Sequence, residues 1–83
     1  PVHVDHTPNP NAMKFTVGTP VGGPTTFSSA NGTDDPLGSA LLDIDGVVSV
    51  FLTADFVTIT KDAGAEWGSI TGPATEILET HFG

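Results

Sequence analysis

The chain has 83 residues, with ten carboxylate side chains against two lysines and a formal net charge of −8. This length allows one small domain over residues 1–83, and the lack of clustered Lys and Arg disfavours nucleic acid and acidic membrane surfaces as partners, although a basic protein surface could bind. The sequence contains no cysteine, so no disulfide stabilises it and no thiolate is present to hold a metal.

The N-terminal region combines a strand pattern with a turn-forming segment. Residues 2–17 give a strand signal that is interrupted by the segment Thr7–Asn11, with the sequence TPNPN. Its prolines cannot donate hydrogen bonds to a sheet, so we expect a rigid extended connection or a sheet edge here. After it, Met13, Phe15 and Val17 alternate with polar residues, which predicts a half-buried strand over 12–17.

A loop, a weak strand and a short helix follow. Residues 18–24 are rich in Gly and Pro and predict a loop, residues 25–28 form a weak strand candidate, and residues 30–34 are a polar loop. Asp35 is a candidate N-cap and Pro36 suits the first helical position. Apolar residues then recur at Leu37, Leu41 and Ile44, which predicts about two helical turns that end at Gly46 in a left-handed conformation.

The second half predicts a β-hairpin and a covering helix. Residues 47–52 and 56–61 are rich in β-branched and apolar residues and flank a turn at 53–55. The first arm is apolar on both faces, which favours an interior position. From Trp67 onward the apolar spacing becomes helical, with a first turn near Trp67 and a main helix from Pro73 to His81. The predicted fold is therefore α+β, with two helices packed on one face of a mostly antiparallel sheet of three to four strands.

Candidate chemistry is sparse. His3, Asp5 and His6 could suggest a metal site, but His3 and His6 point to opposite faces of a strand and His81 is far away in the sequence. The Asp pairs at 34–35 and 43/45 lack the ligand series of a calcium loop. No Ser lies near a His in the sequence. We therefore predict no catalytic residue, no metal ligand and no cofactor.

An ordered set of short motifs resembles the Nfu/NifU N-terminal domain over nearly the whole chain. The pieces that carry the resemblance, in chain order, are TPNPN at 7–11, MKF at 13–15, PL at 36–37, DGV at 45–47, SVF at 49–51, DFVT at 55–58, TK at 60–61, and Trp67, Ile70, Pro73 and Ile77. In longer members this domain precedes a second one, whose Cys-x-x-Cys pair holds or transfers an iron–sulfur cluster. The resemblance implies that this chain is a freestanding first domain without that pair.

The resemblance implies an accessory, non-catalytic role in iron–sulfur cluster assembly through contact with a scaffold, carrier or client protein. The alternatives are a weak metal-handling module and a structural homodimer. Candidate partner-binding residues are Asn9, Asn11, Lys14, Asp55 and Trp67. For the asparagines and Trp67 the competing interpretation is structural, as a turn fixed by the amides and as an anchor for the last helix. Because residues 1–6 lack a secretory pattern, we expect the protein in the cytoplasm.

Overall fold

One antiparallel sheet of five strands and two helices make up the fold in the computed structural model, which describes residues 2–29 and 32–82. The strands lie in the order β1-β2-β5-β4-β3. In chain order the elements are β1 (His3–His6), β2 (Ala12–Thr16), β3 (Thr25–Ser28), α1 (Pro36–Leu42), β4 (Val47–Thr53), β5 (Phe56–Lys61), a 3₁₀ turn (Trp67–Ser69) and α2 (Thr71–Phe82). The α+β class is confirmed.

The predicted strand number is wrong, because His3–His6 forms a strand of its own. This strand, β1, pairs antiparallel with β2, with His3 opposite Thr16 and His6 opposite Met13. The segment Thr7–Asn11 is therefore the connection of a β-hairpin. The two prolines concealed this arrangement because they interrupt a single strand pattern at the place where the chain reverses.

The β4–β5 hairpin is confirmed, and it lies inside the sheet. Val50 is opposite Ile59 and Leu52 is opposite Val57, with β2 next to β5 and β3 next to β4. The interior position that the apolar pattern of β4 predicted is therefore correct. However, Val48 and Phe51 remain 37% and 38% exposed, so the second apolar face of β4 is not buried.

The core lies between one face of the sheet and the two helices. Alternate residues of β2, β4 and β5 point into it. Each helix contributes one apolar side, and Ile70, the residue before α2, contributes its side chain. The buried apolar residues are Met13, Phe15, Leu37, Leu41, Val47, Val50, Leu52, Val57, Ile59, Ile70, Ala74 and Leu78. This single layer of packing supplies most of the hydrophobic stabilisation of the domain.

Helix α1 begins as predicted and ends earlier than predicted. The Asp35 carboxylate accepts hydrogen bonds from the backbone N–H groups of Leu37 (2.9 Å) and Gly38 (3.0 Å). The helix ends at Leu42, so Ile44 and Gly46 lie in the connection to β4. Gly46 has the expected left-handed φ of +98°, but it serves the turn into β4 rather than the helix end. The expected loop at 30–34 falls partly outside the described residues.

Helix α2 is confirmed and begins two residues before Pro73, at Thr71. Pro73 therefore lies in the first turn, where a missing N–H costs no helical hydrogen bond. The separate first turn near Trp67 is also present, as the 3₁₀ turn Trp67–Ser69.

Replacing Gly46 by Ala tests the turn into β4. The change should lower the free energy of unfolding by about 1–3 kcal/mol, because the residue has a positive φ. In addition, an added Cβ would lie 2.6 Å from the Ala65 Cβ. Urea denaturation followed by circular dichroism measures this loss.

The matched control is Gly72→Ala in α2, where an added Cβ meets nothing within 4 Å. Ala has the higher helix propensity, so this variant should be neutral or more stable by up to about 1 kcal/mol. Equal destabilisation by the two changes would contradict the role assigned to Gly46.

Candidate functional site

The segment Thr7–Asn11, called the Pro/Asn turn below, is held by its own side chains. The Asn9 side-chain oxygen accepts a hydrogen bond from the Asn11 N–H at 2.9 Å. The Thr7 hydroxyl accepts from the Asn9 N–H at 3.2 Å and lies 3.0 Å from the Ala12 carbonyl oxygen. These local bonds fix the reversal between β1 and β2, in agreement with the structural interpretation of the asparagines.

Lys61 connects the Pro/Asn turn to the end of β5. Its ammonium Nζ donates to the Asn11 side-chain oxygen at 3.1 Å and to the Asp62 carbonyl at 3.3 Å. The Lys61 backbone N–H donates to the Asn11 carbonyl at 2.8 Å. Lys61 is only 9% exposed, so the charged group is removed from most of the solvent and depends on these oxygen partners.

Trp67 joins the same structure from the side of α2. Its indole N–H donates to the Pro10 carbonyl at 3.0 Å, and the Lys61 ammonium lies 5.9 Å from the centre of the ring. The half-buried ring also packs against the core. Trp67 therefore fastens the 3₁₀ turn before α2 to the Pro/Asn turn, which agrees with its interpretation as an anchor.

The five candidate partner-binding residues do not form one surface. Asn9, Asn11 and Trp67 come together at one end of the sheet. Asp55 lies at the other end, in the β4–β5 turn, where its carbonyl accepts from the Val17 N–H at 2.9 Å. Lys14 lies on the face of the sheet opposite the core, with its ammonium 4.5 Å from the centre of the Phe56 ring. Partner binding by these residues stays a prediction.

The histidines are on three different surfaces. His3 faces away from the core and its Nε2 lies 3.5 Å from a carboxylate oxygen of Asp5, with both side chains exposed. His6 lines a groove between β1 and α2, and His81 lines a second groove between α1 and α2. Within residues 2–29 and 32–82, no group of three or more His, Asp or Glu side chains is close enough to hold a metal ion.

Sequence reasoning missed the grooves on the helical side. The α1–α2 groove has a volume of about 670 Å³ and is lined by Pro36, Leu37, Ala40, Pro73, Glu76, Ile77, Thr80 and His81. The β1–α2 groove is lined by Val4, His6, Met13, Thr71, Gly72, Thr75, Glu76 and Glu79. In the sequence Ile77 is only one more apolar residue at helical spacing, and the structure shows that it is half-buried.

The α1–α2 groove carries carboxylates but is lined by neither lysine. Lys14 is on the opposite face of the sheet, and Lys61 is bound inside the Pro/Asn turn. Glu76 lines both grooves, and Asp35 caps α1 directly before Pro36. These carboxylates therefore have no Lys or Arg partner in the chain. Among the helices of the described residues, none is long and apolar enough to cross a lipid bilayer.

Comparison of the sequence with known families gives a match over residues 2–83 to the family described as "Scaffold protein Nfu/NifU N terminal". A NifU-like protein of Schizosaccharomyces pombe is 38% identical over 86 residues, which cover 98% of this chain and 33% of that protein. The mitochondrial NFU1 iron-sulfur cluster scaffold homolog of Drosophila erecta is 44% identical over 98% of this chain and 30% of its own length. The chain thus spans about a third of these relatives.

Solved structures have the same architecture. The crystal structure of protein SAV1430 from Staphylococcus aureus superposes with a TM-score of 0.78 at 25% identity, covering 93% of this chain and 96% of that chain. The solution structure of a NifU-like protein from Saccharomyces cerevisiae also gives a TM-score of 0.78 at 25% identity, over 95% of this chain and 75% of that chain.

Lys61→Met tests the polar connection to the Pro/Asn turn. The change keeps an apolar stem but removes the donor to Asn11, so we expect a loss of about 1–2 kcal/mol in the free energy of unfolding. Urea denaturation measures the loss, and amide hydrogen exchange should show faster exchange at Asn11 and Ala12.

Lys14→Met is the matched control, since it removes the same charge from the face of the sheet opposite the core. It should cost clearly less than Lys61→Met, because the ammonium of half-buried Lys14 has a ring contact where Lys61 has hydrogen bonds to oxygen. If the two variants were equally destabilised, the loss would come from net charge rather than from the hydrogen bonds of Lys61.

Proposed function

Because the chain belongs to the Nfu/NifU N-terminal family, we propose that it serves iron–sulfur cluster assembly as a non-catalytic protein-interaction domain that holds no cluster itself. The association with iron–sulfur cluster assembly rests on relatives that carry the words NifU-like or iron-sulfur cluster scaffold in their names. The proposal that this chain holds no cluster rests on its own residues. Cytoplasmic residence stays a prediction, and several of these relatives are named mitochondrial.

The single observation that carries the non-ligand role is the absence of cysteine from a chain whose other ligand types are dispersed. Iron–sulfur clusters are held mainly by cysteine thiolates, with histidine as an occasional substitute. Here His3, His6 and His81 belong to three separate surfaces, and within the described residues no group of three or more possible ligands could hold a metal ion. A role through contact with another protein therefore fits the residues better than cluster binding.

The charge of the chain favours a partner with a basic surface. With ten carboxylates and two lysines, it attracts cationic proteins at long range and repels other acidic ones. An iron–sulfur scaffold, a carrier or a client apoprotein could supply such a surface. Of the candidate residues, Asp55 is exposed at a turn, whereas Asn11 and Trp67 already use side-chain polar groups internally.

Affinity capture tests the proposed association. The tagged chain is incubated with extract of its native cell, and bound proteins are identified by mass spectrometry. We expect enrichment of iron–sulfur assembly or client proteins, which should decrease as salt screens the charges. An unrelated acidic domain with the same tag is the control. A set of bound proteins without iron–sulfur proteins would count against the association.

Anaerobic reconstitution tests the non-ligand role separately. After incubation with ferrous iron, sulfide and thiol reductant, followed by desalting, the chain should retain neither iron nor the visible absorbance of a cluster. Stoichiometric iron and sulfide on the protein would refute this part of the proposal. Iron retained without sulfide, and lost in a His3→Ala/His6→Ala variant, would instead favour the metal-handling alternative.

A further inference from the structure

We propose that the α1–α2 groove docks an amphipathic helix whose polar face carries Lys and Arg. The inference deepens the proposed function, since it rests on the idea that this chain acts by binding a protein. It names the surface and the chemistry of the partner segment.

The groove presents apolar side chains that the core leaves uncovered. Ala40 of α1 and Ile77 of α2 are half-buried, and Pro36 and Pro73 stand exposed at the beginnings of the two helices. The volume of about 670 Å³ is in the range of surface clefts that hold large apolar groups. Because α2 has 12 residues, its length of about 18 Å matches a partner segment of roughly three helical turns.

The walls of the groove favour a helix over an extended peptide. An extended peptide binds by adding to a sheet edge, where backbone donors and acceptors are available. The groove is bordered instead by two helices, whose backbone groups bond within each helix. The sheet edges are β1 and β3, which do not line it. A helical partner satisfies its own backbone and needs only apolar anchors from one side.

The charge at the groove selects a basic partner. Glu76 lines the groove, and Asp34 and Asp35 lie directly before Pro36, which also lines it. The ammonium groups of Lys14 and Lys61 are held at Phe56 and at Asn11, away from the groove lining, so His81 is the one lining residue that can become cationic. An acidic helix would place like charges next to these carboxylates, whereas Lys or Arg at the polar flanks of a basic helix would pair with Glu76 and lie near the two aspartates.

The test uses synthetic peptides and isotope-labelled protein. The probe is a 15-residue peptide of Leu and Lys with its leucines at helical spacing along one face. Control peptides have the same composition in scrambled order, or Glu in place of Lys. Isothermal titration calorimetry gives the affinity, and amide chemical shifts locate the site. We expect one peptide to bind per chain, with the largest shifts in α1 and α2.

Two pairs of variants separate docking from general attraction. Glu76→Lys should weaken binding about fivefold or more, whereas Asp5→Lys makes the same charge change on the far face of the sheet and should have a much smaller effect. Ala40→Gln places a larger neutral side chain in the groove and should also weaken binding. Thr75→Gln, in the β1–α2 groove, is its control.

Several results would overturn the proposal. Equal binding of the ordered and scrambled peptides, equal effects of Glu76→Lys and Asp5→Lys, or shifts confined to the sheet would each show that the groove is not the docking site. A dimer in sedimentation experiments that Ala40→Gln dissociates would assign the groove to a second copy. Failure of the peptide experiment leaves the affinity capture of iron–sulfur proteins unaffected, so the groove and the broader function fail separately.

Discussion

Burial of one face of the sheet against α1 and α2 is the interaction on which the other features of this domain depend. A chain of 83 residues without cysteine has no disulfide to supplement its core. The largest fully buried side chains come from β2, β4, β5, both helices and the residue before α2, and they are Phe15, Leu41, Val50, Val57, Ile59, Ile70 and Leu78. Since a sheet has two faces and the described chain supplies helices for one, the other face carries Thr, Ser, Lys14, Phe51 and Phe56.

The polar connection at the Pro/Asn turn follows from this one-sided core. Strand β1 lies at the edge of the sheet and is exposed along its length, so apolar burial alone holds it and the turn after it only weakly. Bonds from Lys61 and Trp67 attach the turn to β5 and to the start of α2. One of the two cations of a strongly acidic chain is therefore used internally. Its use there strengthens the attachment of the turn and leaves no lysine to line the α1–α2 groove.

The sequence predicted most reliably the elements that bury the most apolar surface. The β4–β5 hairpin and α2 have regular apolar spacing, because their positions in the core demand it. The strand signal over residues 2–17 was not divided into β1 and β2, because the TPNPN segment was expected to be an extended connection or an edge and all four residues of β1 are exposed. Gly46 was assigned to a helix end because the sequence shows only that a glycine follows a helical pattern. Its place in the turn into β4, close to Ala65, depends on tertiary packing.

The candidate site was less predictable, since it depends on which residues the fold brings together. Asn9, Asn11 and Trp67 were selected from their chemistry, yet Asn11 is joined to Lys61, 50 residues away, and Trp67 to the Pro10 carbonyl, 57 residues away. The α1–α2 groove likewise joins Ala40 to Ile77, which no local pattern connects. Residues of the core follow the periodicity of their helix or strand, so the sequence reveals them. Residues that border a groove leave a space between two elements unfilled, and no periodicity marks them. A stable core therefore does not require the half-buried Ile77 next to carboxylates that no lysine neutralises. Under the proposed function, a partner helix would cover Ile77 and pair with these carboxylates.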